Sequence, residues 1–284
     1  MNKIDKTELS SQVQKLPALS SVVTELLTSI DQEDVDVDAI AKKIACDQAL
    51  TVKTLRLANS SFYGMQHKIS SISEAINILG FKNVRMMIST SAITVSFAPT
   101  QINHFSFTSF WQHSLGTAIC AQEIAKRSPK QSAGNPEIAF IAGLIHDIGK
   151  LVLVTHYPKQ YELALEYQIQ HQCDPEFSER EILGMDHCEI GTAVLHHWKF
   201  PDEIQTAISE HYLNDDKSLH PLSGIVHLAD IFSLALDFSR DEHVVIPKIS
   251  AAVWEQMKLD EAACKTIFKN VQIKFEEMSQ ILVT

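Results

Sequence analysis

Residues 135–150 read Asn135-Pro136-Glu137-Ile138-Ala139-Phe140-Ile141-Ala142-Gly143-Leu144-Ile145-His146-Asp147-Ile148-Gly149-Lys150. The stretch opens as a helix does, with an Asn that can cap, a Pro in the first turn where no N–H is needed, and an acid at the positive dipole end. An apolar run follows, which places this helix in a core, and Gly149 is expected to end it. His146 and Asp147 close the run. Neighbours at a helix end point about 100° apart, which suits two ligands converging from one short segment. The most apolar part, Ala139 to Val154, is interrupted by His146, Asp147 and Lys150, so no membrane span is expected.

Working outward, the helical period recurs almost everywhere. Leu19, Val22, Val23, Leu26, Leu27 and Ile30 follow the i, i+3, i+4, i+7 pattern behind Pro17. Ser71-Ile72-Ser73-Glu74 reads as a capping box, its helix stopping at Gly80 and another following through Val84, Met87 and Ile88. Asp36 to Ser60 reads as two helices, the second capped near Asp47, and Asn59 to Ile69, with Gly64 inside, as a loop. Further helices fit Phe107 to Lys126, Tyr157 to His171, Phe177 to Leu183, His187 to Trp198, Pro201 to Tyr212, Leu222 to Phe238 and two in Ile249 to Leu282. No run alternates with period two, so the expectation is an all-α protein with negligible β. The domains expected are an N-terminal helical subdomain (1–100) packed on a helical bundle (101–240), and a helical tail (241–284) packed on that bundle.

The 284 residues are 45% apolar and 21% charged, ordinary for a globular protein. A formal charge of -11, without a Lys/Arg cluster, argues against a nucleic-acid partner. Five cysteines without C-x-x-C spacing suggest neither a disulfide framework nor a thiolate zinc site. The N-terminus, Met1-Asn2-Lys3-Ile4-Asp5-Lys6, lacks an apolar leader. A cytoplasmic protein is therefore expected.

In the second half, metal-competent side chains occupy places where the pattern calls for core. His113 lies on the helix of Phe110, Trp111, Leu115 and Ile119; His187 and His211 come from two further helices; Asp230 would be a buried carboxylate, which a metal can compensate. With His146 and Asp147 they make a candidate ligand set for one or two divalent ions, of which Zn, Fe, Mn and Co all suit imidazole and carboxylate. Each alone has a blander reading as a hydrogen-bonded core residue. Lys150 could reach a phosphate or serve as a dipole partner for its own helix. His196, His197, His220 and His243 read as surface or packing residues, and His156 as local structure.

These residues resemble a known family. His113, then Gly143-Leu144-Ile145-His146-Asp147-Ile148-Gly149-Lys150, Asp186-His187-Cys188-Glu189-Ile190-Gly191, Glu210-His211 and Asp230 resemble the HD superfamily of metal-dependent phosphohydrolases. The front half, with Leu16-Pro17-Ala18-Leu19, Ile44 to Tyr63-Gly64, and Ser71 to Gly80, resembles the leader of the HDOD family, helical output domains of bacterial signal transduction. The resemblance covers roughly residues 10 to 240. It implies that His113, His146, Asp147 and Asp230 hold the first metal, and that His187 and His211 complete a second site. The stretch Ser209-Glu210-His211-Tyr212-Leu213-Asn214-Asp215 lacks the Gly-Tyr-Pro loop of the superfamily's cyclic-dinucleotide hydrolases, which speaks against cyclic di-GMP hydrolysis. Many HDOD proteins have lost metal positions that this chain retains.

Three functions follow. The first is a regulatory output module in which metal or ligand occupancy shifts a packing equilibrium read by a signalling partner or set by a small phosphorylated ligand. The second is a metal-dependent phosphohydrolase, with Asp147 and Lys150 as catalytic residues and a bound water whose pKa is lowered to ~7. In the third, the cluster is a hydrogen-bonded relic. No stretch is left over for a receiver, sensor or DNA-binding domain, so any input is expected through a separate protein or a small ligand.

Overall fold

The computed structural model describes residues 3–17, 19–28, 36–59, 67–81, 84–85, 88–89, 93, 97, 100–129, 134–212, 220–240 and 245–282. Among them every regular element is a helix and no strand occurs. The expectations for Ile30, Gly64, Met87, Asn214, Asp215 and His243 lie outside the described residues.

Contacts divide the chain into two units, Met1–Leu16 with Ala98–Phe275, and Pro17–Phe97 with Glu276–Thr284. This differs from a cut at residue 100, because the chain's first helix belongs to the larger unit. That helix, α1 (Lys6–Gln14), has no signal strong enough to be foreseen, only Leu9 and Val13 four apart, and both are buried. Ile4 just ahead of it donates a backbone hydrogen bond to Leu183 (2.8 Å). Residues 245–275 also belong to the larger unit.

The smaller unit contains α2 (Ser21–Thr28), α3 (Val37–Cys46), α4 (Gln48–Ala58) and α5 (Ile72–Leu79). Val23, Leu26, Ile40, Ile44, Ile72 and Ala75 form its core. Asp36 caps α3 through Ala39 N–H and Asp47 caps α4 through Leu50 N–H. Gly80 ends α5 at φ +84°. The capping box expected at Ser71 is shifted: Ser71 accepts from Glu74 N–H, but the Glu74 carboxylate accepts from Ser70 N–H and Oγ–H. Asn59 exchanges hydrogen bonds with the Ile69 backbone at 2.7 and 2.8 Å.

The larger unit continues with α6 (Phe107–Arg127), α7 (Pro136–Ile145), α8 (Ile148–His156), α9 (Pro158–His171), α10 (Pro175–Leu183), α11 (His187–His197), α12 (Asp202–Glu210), α13 (Pro221–Ala235), α14 (Ala251–Met257) and α15 (Glu261–Leu282) as far as Phe275. Helices α6, α7 and α13 pack on one another and are buried nearly all round, which is why they lack a polar face. The stretch Pro136–His156 is long and apolar enough to cross a membrane, yet 89% of its most apolar 18 residues are buried within the protein and it breaks at His146-Asp147. Gly149 therefore does not end α7, as expected from sequence; it sits in the first turn of α8. A Cβ there would lie 2.0 Å from the His187 carbonyl oxygen and 2.8 Å from Gly191 N. The glycine is needed because α8 and α11 touch backbone to backbone. Gly143 plays the same part between α7 and α6, its Cβ position lying 2.8 Å from Thr117 O.

One buried acid ties α6 to α15. Glu123, 2% exposed, accepts from Lys126, Arg127, Lys274 and Asn270 at 2.6–3.0 Å. Burial alone would raise its pKa, but the hydrogen bonds from Lys274, Asn270 and Lys126 outweigh it and hold the carboxyl below the usual carboxylate range.

Gly149→Ala is expected to cost about 3 kcal/mol, the upper end for overpacking, because neither opposing backbone can withdraw alone; the urea midpoint measures it. Because the Glu123 pKa is lowered on folding, its stabilisation is full above the ordinary value of 4.5 and is lost as pH falls. The melting-temperature gap between wild type and Glu123→Gln should therefore narrow as pH is taken from 7 to 3, and a constant gap would contradict the assignment.

Candidate metal centre

Each donor is delivered by a helix position that the local sequence explains. His146 is the C-cap of α7 and Asp147 the N-cap of α8, and the Asp147 side chain makes no cap hydrogen bond, which leaves its carboxylate to face inward. His187 is the first residue of α11, after the Asp186–Glu189 capping box, and His211 is the C-cap of α12. His113 and Asp230 lie within the buried α6 and α13. All six are at most 8% exposed.

The structure brings these six side chains together. His113 Nε2 lies 3.0 Å from Asp230 Oδ1, 3.2 Å from His146 Nε2 and 3.8 Å from Asp147 Oδ2. His146 Nε2 is 3.4 Å from Asp147 Oδ2 and 3.6 Å from Asp230 Oδ1. On the other side of the same carboxylate, Asp147 Oδ1 is 3.2 Å from His187 Nε2 and 4.0 Å from His211 Nε2. Asp147 thus stands between two groups, one oxygen toward His113, His146 and Asp230, the other toward His187 and His211.

The outer ring nitrogens decide what the inner ones present. His146 Nδ1 meets the Gly143 carbonyl and His211 Nδ1 the Ile208 carbonyl, both at 2.8 Å, and His187 Nδ1 meets Glu179 Oε2 at 2.7 Å. Carbonyls and carboxylates only accept, so each Nδ1 carries a hydrogen and each neutral ring offers its Nε2 lone pair inward. Ser233 Oγ, which donates to the His113 carbonyl, sits 3.3 Å from His113 Nδ1. The His113 and His146 Nε2 atoms, 3.2 Å apart and both beside Asp230 Oδ1, need a proton or a cation between them, and the buried His187 Nε2, 3.2 Å from Asp147 Oδ1, makes no aligned hydrogen bond. This donor set fits a divalent metal.

Electrostatics tells the same story. Burial opposes ionisation of Asp147, but the charges of His146, Lys150 and His187 bring its pKa well below the ordinary value. Asp230 is likewise lowered, against its burial, by hydrogen bonds from His113 and His146. His146 is raised by Asp147 and Asp230, and His187 well raised by Glu179, in both cases against desolvation. His211 is depressed to about 3 by burial and the neighbouring imidazoles, hence neutral at physiological pH. Lys150 Nζ lies 2.7 Å from Asp147 Oδ2 and lines the pocket. Without a cation, protons on Lys150, His146 and His187 supply the positive charge that the buried carboxylates need; a divalent ion would take the place of the histidine protons and leave the rings neutral donors.

Several residues around the donors were not singled out from sequence. Glu179 also accepts from His187 N–H (2.7 Å), and Glu176 Oε1 lies 3.7 Å from His187 Nε2. Helix α10 is inverted: Glu176, Glu179 and Leu183, at i, i+3 and i+7, are buried, while Phe177 is 56% exposed. Reading its apolar residues for the inward face misses this, though the i, i+3 pairing of acids eleven and eight residues ahead of His187 is a usable signal. His227 joins His211 O through Nδ1 (2.9 Å) and accepts from Ser250 N–H (3.3 Å). His196 and His220 are exposed and His197 half-buried, away from the cluster, and His156 pairs locally with Thr155. The pocket over the donors is walled by Phe105, Phe110, Tyr161 and Leu165, and Lys150 is the one lysine or arginine among its described lining residues.

The model of the HDOD domain matches residues 16–213. Among solved structures, the chain is similar to an HDOD domain protein of unknown function from Geobacter sulfurreducens (22% identity, 98% of each chain, TM-score 0.74). It is also similar to a provisionally named phosphohydrolase from Shewanella amazonensis SB2B (28% identity, 96% of this chain and 97% of the other, TM-score 0.73). A provisionally named signal transduction protein from Marinobacter aquaeolei VT8 superposes with a TM-score of 0.81 at 20% identity, over 95% of this chain and 60% of that one. The Geobacter and Marinobacter likenesses speak for the fold alone. An uncharacterised protein of Treponema pallidum (strain Nichols) is 26% identical over 205 residues, 72% of this chain and 39% of the relative, so the chain spans about two fifths of that relative's length. With the family model spanning well over half of its residues, the chain belongs to the HDOD domain family.

Proposed function

We propose that this chain is a signal-transduction output module whose pocket holds one or two divalent cations and takes a small phosphorylated ligand, occupancy being passed on through a protein partner. The observation that carries this is the placing of Asp147 between two groups of inward-facing imidazole lone pairs. His113, His146, Asp147 and Asp230 would hold one ion; Asp147, His187 and His211 would hold the other. A divalent cation in this setting supplies Lewis acidity toward a phosphoryl oxygen. Lys150, with its ammonium already on Asp147, holds a point charge at the pocket wall for an anionic group. Tyr161, Phe105 and Phe110 give the rest of a ligand an apolar face and keep water from it. Glu179 keeps the His187 ring in one tautomer and orientation. The formal charge of -11 favours a partner other than nucleic acid, and the role we assign is cytoplasmic.

A second reading, a metal-dependent phosphohydrolase, is favoured by one specific observation: the donor set is complete, with Lys150 beside it. In that case Asp147 and Lys150 are the catalytic residues. Cyclic di-GMP is disfavoured as its substrate by the sequence after His211.

Protein purified without chelator should carry a divalent metal by elemental analysis, and Asp147→Ala should carry little; wild type devoid of metal under all loading conditions would overturn both readings. Wild type and Asp147→Ala are then compared on phosphomonoesters, nucleotides and cyclic dinucleotides. Turnover lost in the variant establishes the hydrolase, and metal-dependent binding of a phosphorylated compound without turnover establishes the module. Glu179→Gln, which keeps the shape but loses the charge behind His187, should weaken metal affinity by about 10–100-fold, as removal of such outer partners does, measurable by competition with a chromogenic chelator.

A further inference from the structure

Helix α10 turns inward an acid that the donor set above leaves unused. Glu176 is 4% exposed, and neither of its carboxylate oxygens has a hydrogen-bond partner. Its Oε1 lies 3.7 Å from His187 Nε2, a buried nitrogen that also has Asp147 Oδ1 at 3.2 Å and makes no aligned hydrogen bond to either. His187 Nδ1 is held by Glu179, and burial raises the Glu176 carboxyl well above the usual carboxylate range, so in the absence of a cation a proton is held between Glu176 and His187 Nε2, in the place a metal ion would take. A third buried acceptor, Glu179 Oε1, lies on the same face of α10 and is also without a hydrogen bond. Buried groups of one polarity in one neighbourhood are not tolerated without a positive partner. Lys150, the cation lining this pocket, already has its contact on the far oxygen, Asp147 Oδ2.

The two sides of Asp147 are otherwise unequal. Toward His113 the donors comprise two imidazoles and two carboxylate oxygens, from Asp147 and Asp230; toward His187 they comprise two imidazoles and one carboxylate oxygen, Asp147 Oδ1, with the Cys188 thiol lying on the outer, Nδ1 side of His211 at 3.8 Å. We propose that Glu176 is a ligand of the cation on the His187 side, so that both positions offer two nitrogens and two carboxylates; this rests on the reading of the cluster as a divalent-metal centre. The two positions then suit the same class of ion, one at home with oxygen and imidazole together, such as Mn(II) or Fe(II).

The test is manganese titration of the full-length chain, stripped of metal, by calorimetry and electron paramagnetic resonance, for wild type, Glu176→Gln and Asp230→Asn. Wild type should take two equivalents with affinities within about tenfold of each other and give an exchange-coupled spectrum. Glu176→Gln should keep one equivalent, weaken the other at least tenfold and give an uncoupled six-line spectrum; Asp230→Asn should weaken the opposite position. Glu176→Ala, which leaves space and no donor, should repeat the Gln result if the amide perturbs folding, with circular dichroism confirming the helical fold. Two equivalents at wild-type affinity in both Glu176 variants, as expected if the acid merely neutralises a protonated His187, would overturn the role of Glu176 and leave the metal centre standing. Wild type that takes one equivalent would overturn it likewise, and wild type that takes none would remove the centre as well.

Discussion

A carboxylate 2% exposed cannot stay ionised in a helical core without positive charge around it, and Asp147 is such a carboxylate. The surrounding structure answers that constraint. The core helix that would otherwise run on is interrupted so that His146 and Asp147 point the same way. Three imidazoles are turned by carbonyls or by Glu179 so that their lone pairs face the carboxylate's neighbourhood. Lys150 lies against it. Take away the need to neutralise Asp147 and there is no reason for so many polar groups to be packed where apolar ones would be simpler.

Much of this was legible in the residues. The helices follow from the apolar period and from caps such as Asp47 and Asn135, and His113, His187, His211 and Asp230 betray themselves as polar residues on faces that should be apolar. What stayed hidden has two physical causes. Gly149 looks like a helix end because glycine is common there, whereas its true reason is a neighbour, the His187 carbonyl, that is distant in sequence. Glu176 and Glu179 look like surface acids because charge normally marks the solvated side, and here the side is reversed by what it faces. Both are facts about tertiary partners, and local pattern does not contain them. Helix α1 is the milder case, two buried apolar residues that mean little until α11 supplies the other half of the contact.

Membership of the HDOD family and the completeness of the donor set pull in different directions. The output role proposed above calls for a switch, while the inward-facing imidazoles and carboxylates would suit chemistry on a bound ion. The two are compatible in physical terms, because a pocket that binds a phosphorylated ligand through metal alters the electrostatics of every helix end that meets there. His227 links the carbonyl of His211 to the amide of Ser250, the N-cap of α14.

The close approach of α8 to α11 has a corollary for how such chains are recognised. The demand for a bare hydrogen at position 149, and at 143 between α7 and α6, comes from backbone crowding and is indifferent to what the imidazoles do. A descendant stripped of every metal ligand would still be obliged to keep those glycines in order to fold. The glycine spacing around the His-Asp pair is therefore a signature of architecture, and only the ring nitrogens and carboxylates can testify to ion chemistry.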